Sequence, residues 1–323
     1  MIKGEDFIKA FEITKNDSGQ RLDKYITKSL PTLPLSLMYK FIREKRIKVN
    51  GKRAVQNTRL EEGDLVEFYI KDEFFVTDSD LSFTKLNPKL NIIYEDENIL
   101  LVDKKPGVIV HSDEKEKTGT LIDKVKAYLY HKGEYNPIEE RSFTPALCNR
   151  IDRNTGGIVI CAKNAQALRC VNDLIKNNET TKKYLALVHG TFNNKNGHIK
   201  NYLLKDSSQN IVKVFEKPTP NALSAESFYN VIRSDVKRNI SLVEVTLVTG
   251  RTHQIRAQFA HMGHPLVGDG KYGVNRDDKK IGYKFQALYS YKLSFSPSNE
   301  SDLLYYLKGR EFKVDEVFFE NEI

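Results

Sequence analysis

The chain has 323 residues, 40% of them hydrophobic, which allows a real core and excludes a disordered or fibrous chain. It has no run of 18 or more apolar residues, which argues against a membrane span, and its start places acids in the first turn with no long apolar stretch, which argues against a signal peptide. The net charge is +8, and the window from Arg21 to Arg53 alone holds ten basic residues and two acids, a local net +8. Such a patch points to an anionic polymer, nucleic acid above all. Cys148, Cys161 and Cys170 lack any CxxC spacing, so a reducing cytoplasmic compartment fits and a cysteine-rich zinc site does not.

Residues 1–72 read as a small domain. RLDKYITKSL spaces Leu22, Tyr25, Ile26 and Leu30 as one helical face. In SLMYKFIREKRIKVNGK, Ser36 is a candidate N-cap and Leu37, Phe41 and Ile42 form a second face. IKVNGKRAV reads as strand, Asn50-Gly51 turn, strand, and LEEGDLVEFYI closes the unit with an alternating strand. Residues 73–89 are polar and aperiodic, a linker ending at Pro88. From residue 90 to 323, strands and helices mix. NIIYEDENILLVDKK gives two short strands, TLIDKVKAYLYH a helix, GGIVICAK a buried strand, and NAQALRCVNDLIKN a helix with Leu168, Val171 and Ile175 inward. KKYLALVHGTF and NISLVEVTLVT are strands. THQIRAQFAHMG is a helix starting at Thr252 with Ile255, Phe259 and Met262 buried, and FQALYSYKLSF is a late strand. Without strict βαβ alternation this predicts an α+β domain around a mixed, largely antiparallel sheet.

Four stretches hold residue types suited to chemistry. NRIDRNTGG sets Asp152 between Arg150 and Arg153, where neighbouring positive charge favours an ionised carboxylate, and its two glycines allow close approach to a ligand. The same letters also describe an ordinary polar turn. VTGRTHQIRAQFAHMGHPLVGDGKYG puts Arg251 at a helix mouth, an anion site. His253, His261 and His264 match no familiar zinc spacing, and Asp269 and Tyr272 read as turn residues. TKKYLALVHG carries Tyr184 on an apolar strand, as core or as a platform for a base. KKPGVIVHS gives a Pro-Gly turn, a strand over Val108–Val110, and His111 in a structural or phosphate-contacting role.

The first domain resembles the RNA-binding module named after ribosomal protein S-four, the αL motif, through RLDKYI, SLMYKFIREKRIKVNGK and LEEGDLVEF in that order. The resemblance implies RNA contact by Lys40, Arg43, Lys45, Arg46 and Lys48. RIDRNTGG, KKYLALVHG, GRTHQIRAQ and GHPLVGDGKYG together resemble the RluA-type RNA pseudouridine synthases, over about Ile92 to Phe295. An αL module ahead of that domain is similar to the RluC and RluD branch, which modifies large-subunit ribosomal RNA. The resemblance implies Asp152 as the catalytic aspartate, Tyr184 as the active-site tyrosine on the target base, and Arg251 as the arginine paired with the aspartate. It also implies an apolar wall near Leu288; Arg150 and Arg153 are expected to contact the acid or the RNA backbone, and His253 to pack, hydrogen-bond or touch RNA. The family's His-Arg-Leu-Asp is Asn149-Arg150-Ile151-Asp152 here, its Thr-Ser-Gly is Thr155-Gly156-Gly157, and its Lys-Pro-Ala-Gly is Lys104-Lys105-Pro106-Gly107. These departures bear on the target uridine more than on the reaction.

Pseudouridine formation breaks N1–C1′, turns the ring and rejoins it through C5, so neither cofactor nor metal is expected. One carboxylate suffices, attacking C1′ or removing the C2′ proton. A non-catalytic ribosome-assembly factor, a synthase acting on transfer RNA and a glycosidase are the alternatives. A glycosidase needs two carboxylates about 5–10 Å apart, and Asp269 is the only evident second one. A monomer acting on RNA is the expectation.

Overall fold

The computed structural model describes residues 8–75, 81–110, 119–206 and 208–323. The chain folds as two compact units. The first comprises residues 1–88, 123–145 and 163–166; the second comprises 89–122, 146–162 and 167–323. The units are therefore discontinuous in sequence.

In the first unit, β1 (Ile8–Glu12), α1 (Leu22–Ser29), α2 (Leu35–Arg43), β2 (Ile47–Val49), β3 (Lys52–Arg53) and β4 (Leu65–Tyr69) form a four-stranded sheet, β1-β4-β2-β3, with two helices. Most of α3 (Leu121–His131), from residue 123 on, belongs to this unit as well. Leu22, Tyr25, Ile26 and Leu30 are buried as their spacing predicts, with Met38, Phe41 and Ile42 of α2. The α2 prediction shifts: Pro34 occupies the N-cap position, so Ser36 lies inside the first turn and caps nothing. Proline fits there because the first helical N–H groups lack internal acceptors anyway. Asn50 and Gly51 have φ of 51° and 70°, the pair a tight hairpin turn requires. Within the same unit, Arg141 lies 3.6 Å over the Phe11 ring and Gln20 donates to Ser142 at 2.6 Å.

The second unit is built on β5 (Ile92–Glu95), β6 (Ile99–Lys104), β7 (Ala146–Leu147), β8 (Gly156–Ala162), β9 (Thr180–His189), β10 (Asn196–Asp206), β11 (Ile211–Phe215), β12 (Leu223–Asp235), β13 (Ile240–Leu247), β14 (Leu288–Phe295) and β15 (Glu311–Lys313). Its sheet runs β11-β10-β12-β13-β9-β14-β8-β6-β5, with β15 on β14 and β7 on β8. The β14–β8 pair is parallel and the other pairs are antiparallel, so the fold is α+β with a mixed, largely antiparallel sheet. Its helices are α4 (Ala165–Lys176), which begins at the unit boundary, α5 (Gln254–His261) and the short α6 (Arg276–Lys280). From α4, Ala167, Val171 and Leu174 enter the main core, while Leu168 and Ile175 are partly buried against it. The predicted strand over Val108–Val110 does not form; after β6 ends at Lys104 the chain turns at 106–107, and His111 lies outside the described residues.

Three neighbouring strands set the geometry that follows. Tyr289 and Ser290 of β14 pair with Gly156 and Gly157 of β8, and Ser290 pairs on its other side with Tyr184 of β9. A Cβ at Gly156 would stand 2.2 Å from the Tyr289 ring, and one at Gly157, where φ is +116°, 2.2 Å from the Ser290 carbonyl oxygen. The close approach these glycines permit is thus to their own neighbouring strand, not to a ligand.

Candidate active site

Asp152 lies in the loop that runs into β8, and the row Gly157–Ser290–Tyr184 carries that loop toward the tyrosine. Around them opens a cleft of about 930 Å³, lined by Asp152, Tyr184, Arg251, His253, Arg256 and Leu288 among others. Arg150, Arg153, Lys176 and Lys182 also line it, which makes the cleft cationic.

The ion pair to Asp152 corrects the sequence reading. Arg256 Nη1 donates to Asp152 Oδ2 at 2.8 Å, whereas Arg251 is exposed and its Nε donates to the Ser224 carbonyl at 3.0 Å. Neither flanking arginine makes that pair: Arg153 turns its Nε to the Gly107 carbonyl at 3.2 Å, and Arg150 is exposed. The physical reason is the turn of α5. Its N-cap is His253 rather than Thr252, so Arg251 stays on the loop while Arg256 comes off the third helical residue into the site. Met262 is exposed, contrary to the predicted buried face.

Arg256 is nearly buried, and Asp269 holds it from behind. Nε and Nη2 donate to the two Asp269 oxygens at 2.7 and 2.9 Å, a planar two-point grip. Despite its burial, Asp269 and Asp152 keep the guanidinium firmly charged, and Arg256 in turn holds the Asp269 carboxyl below its ordinary value against burial. Asp269 keeps its predicted turn role too, accepting the Lys271 N–H at 2.9 Å. One oxygen of Asp152 is committed to Arg256; for Oδ1 there is no hydrogen-bond partner among the described residues.

The helix bearing Arg256 is fixed by buried amides. Gln258 accepts from Ser227 at 2.7 Å and donates to Asn201 at 3.0 Å, while Gln254 accepts from Thr249 and from the Arg251 N–H. The Asp152 loop is fixed from its own side. Asn149 Oδ1 accepts the Ile160 N–H at 2.8 Å and its Nδ2 donates to the Ile158 carbonyl at 3.3 Å. Lys104, fully buried, donates to the carbonyls of Lys105, Val108 and Arg153. Burial pulls its amine down to about 7, with Asp152 and Asp103 opposing. The sequence reading gave neither Arg256 nor Lys104 a role in the site. The available signal was that each sits in a run of buried residues, where a cation needs built partners.

Tyr184 is buried in the cleft wall; burial and nearby Asp152 push its phenol up to about 12, with the Ser290 side chain opposing. The other two histidines of the glycine-rich stretch do separate jobs. His261 pairs with Glu216 at 2.6 Å and His264 stacks on Phe192. Among the described residues no group of three His, Cys, Asp or Glu could hold a metal ion.

On the first unit, Lys40, Arg43 and Lys45 are exposed around the end of α2. Arg46 is half-buried, donating to the Tyr69 carbonyl at 2.9 Å, and Lys48 lies 4.6 Å over the Tyr69 ring. Among the described residues no helix is long and apolar enough to cross a membrane.

An arginine-held carboxylate and a buried tyrosine line one cationic cleft on a mixed sheet, and similarity to known proteins gives the class of protein that carries them. The family described as RNA pseudouridylate synthase matches residues 98–261, and the S4 domain matches residues 20–66. An RNA pseudouridine synthase of Mycoplasma genitalium is 38% identical over 293 residues, covering 88% of each chain. The ribosomal large subunit pseudouridine synthase C of Buchnera aphidicola is 35% identical, covering 84% of this chain and 83% of that protein. The Haemophilus ducreyi protein of the same name is 32% identical, covering 85% and 82%. Among solved structures, human RNA pseudouridylate synthase domain containing 1 superposes with a TM-score of 0.53 at 22% identity, over 65% of this chain and 80% of that one, a likeness of fold. The chain belongs to the RNA pseudouridylate synthase family and carries an S4 domain: it is an isomerase acting on RNA.

Proposed function

We propose that this enzyme converts uridines of large-subunit ribosomal RNA to pseudouridine in the cytoplasm, with Asp152 as the reacting carboxylate on a flipped-out nucleotide. The observation that carries the reading is the asymmetry of Asp152, which lines the cleft: Oδ2 is tied to Arg256, and Oδ1 has no hydrogen-bond partner among the described residues. A carboxylate held by one oxygen is oriented, and its other oxygen is available to substrate.

That oxygen serves either route, bonding to C1′ or removing the C2′ proton. In both, the N1–C1′ pair stays with the ring, C5–C1′ forms as the Oδ1–C1′ bond breaks or the C2′ proton returns, the C5 proton leaves and N1 gains one. The net change is an isomerisation. Flipping the base costs roughly a few kcal/mol of lost stacking. Tyr184 and Leu288 offer an apolar wall that offsets this, and Arg150, Arg153 and Arg251 offer cations to the flanking phosphates. A phenol pushed up to about 12 stays protonated, so Tyr184 acts as wall and donor rather than as a base. Lys40, Arg43 and Lys45 supply a second, sequence-independent grip on RNA.

Ribosomal RNA as substrate is supported by the names of the Buchnera and Haemophilus relatives. Site-resolved pseudouridine mapping of total RNA, with and without the gene, tests it. The reading expects large-subunit positions to revert to uridine; changes confined to transfer RNA overturn it.

A further inference from the structure

We infer that His253 is a second catalytic group: a neutral imidazole, protonated at Nε2, whose N–H meets a carbonyl oxygen of the uracil as the ring leaves C1′. The inference rests on Asp152 as the reacting carboxylate.

The backbone sets where the ring sits. His253 holds φ 52° and ψ 20° at the N-cap of α5, without capping the helix by its side chain. Seven non-glycine residues among those described have positive φ; five are Asn, and only Lys45 and His253 are not. Asn tolerates that region readily, so the backbone alone does not call for an imidazole here. The side chain is 9% exposed and closes on the site.

The ring is wired at both nitrogens. Nδ1 lies 2.9 Å from the Tyr272 hydroxyl, and that oxygen accepts the Val212 N–H at 2.8 Å. The phenol proton then goes to Nδ1, the acceptor beside it, which leaves the ring proton on Nε2. Nε2 stands 3.9 Å from Asp152 Oδ2, too far for a hydrogen bond, and an adjacent carboxylate favours the tautomer with its proton on that side. The imidazole faces Asp152 and Asp269 on one hand and Arg256 and Lys271 on the other. Burial lowers its proton affinity, to about 4, with the two cations adding and the two acids opposing. Nε2–H is therefore a fixed neutral donor beside the reacting carboxylate, without a hydrogen-bond acceptor among the described residues. When N1–C1′ breaks, the electron pair stays on the ring and spreads onto its carbonyl oxygens. A preorganised N–H aimed there stabilises that charge while keeping its proton.

Two measurements on the full chain test this. In nitrogen-15 NMR of the histidine-labelled enzyme, His253 should show a bare Nδ1 and a protonated Nε2, unchanged between about pH 6 and 8. An imidazolium titrating in that window, or an Nδ1–H tautomer, overturns the inference. In kinetics, His253→Asn should lower kcat about 10- to 100-fold with KM for RNA within about 3-fold. Tyr272→Phe should lower kcat less and let both tautomers appear. If His253→Asn fails to fold, His253→Gln, whose longer side chain carries its amide N–H to about the Nε2 position that Asn does not reach, should retain part of the rate. The loss on His253→Asn should persist when the target is 2′-deoxyuridine; its disappearance would mean the donor serves the 2′-hydroxyl instead. An active His253→Asn beside an inactive Asp152→Asn overturns the histidine role alone, whereas an active Asp152→Asn overturns the reading beneath it.

Discussion

Arg256 carries two carboxylates at once, and its removal separates catalysis from stability. Arg256→Ala leaves Asp269 buried without a counter-charge, so the protein should lose about 3–5 kcal/mol in denaturant unfolding. Arg256→Lys keeps the charge but cannot satisfy both acids with one planar fork. It should fold and lose roughly 10²-fold in kcat, as expected when an electrostatic partner of the reacting group is displaced. Retention of full turnover by Arg256→Lys would show that the ion pair is dispensable. Tyr184 allows a pH prediction. Its phenol is raised from the ordinary value of 10 to about 12, so it remains protonated through neutral and mildly alkaline pH. An alkaline fall in rate near pH 10 that vanishes in Tyr184→Phe would contradict this. At this scale the sequence told half the story. Asp152 stood out as an acid flanked by arginines, but charge neighbours along the chain were a poor guide to charge neighbours in space. The arginine that binds it comes from 104 residues away.

Elements, rather than single side chains, bring Asp152 and Tyr184 together. The parallel step of β14 onto β8 requires glycine twice, and the second position also has a backbone angle L side chains rarely adopt. Gly157→Ala should therefore cost more than about 3 kcal/mol or prevent folding, read as yield and thermal midpoint. Normal stability would mean β14 can shift freely. Asn149, which replaces the family's histidine, is accounted for as a clasp on β8; Asn149→Ala should cost about 1–3 kcal/mol by orphaning the Ile160 N–H. The strand pattern was readable because β8 and β9 are apolar runs bounded by turns. The register was not, since a one-residue slip leaves composition unchanged and moves every side chain to the other face. Helix α5 was misread at its start for a related reason. Six of its residues from Gln254 to Phe259 are buried, so it lacks the one-sided apolar stripe that locates a helix in sequence.

At the scale of the whole molecule, two functions divide between two units. If Lys40, Arg43 and Lys45 grip RNA without reading it, changing all three to Glu should raise KM for RNA and flatten its salt dependence. kcat at saturating RNA should stay within about 2-fold. An equal loss in kcat would show that this surface takes part in the chemical step. The basic window was visible in the sequence because it packs ten cations into 33 residues. The sequence-discontinuous division of the chain was not, because residues 123–145 join the first unit only through tertiary packing that composition does not encode. The central claim, that the free oxygen of Asp152 does the chemistry, is tested most directly by single-turnover conversion of target RNA by Asp152→Asn. That change keeps size and the capacity to bind RNA while removing the reactive charge. The account predicts RNA affinity within a few-fold of the parent enzyme and no detectable pseudouridine; measurable conversion by Asp152→Asn would contradict it.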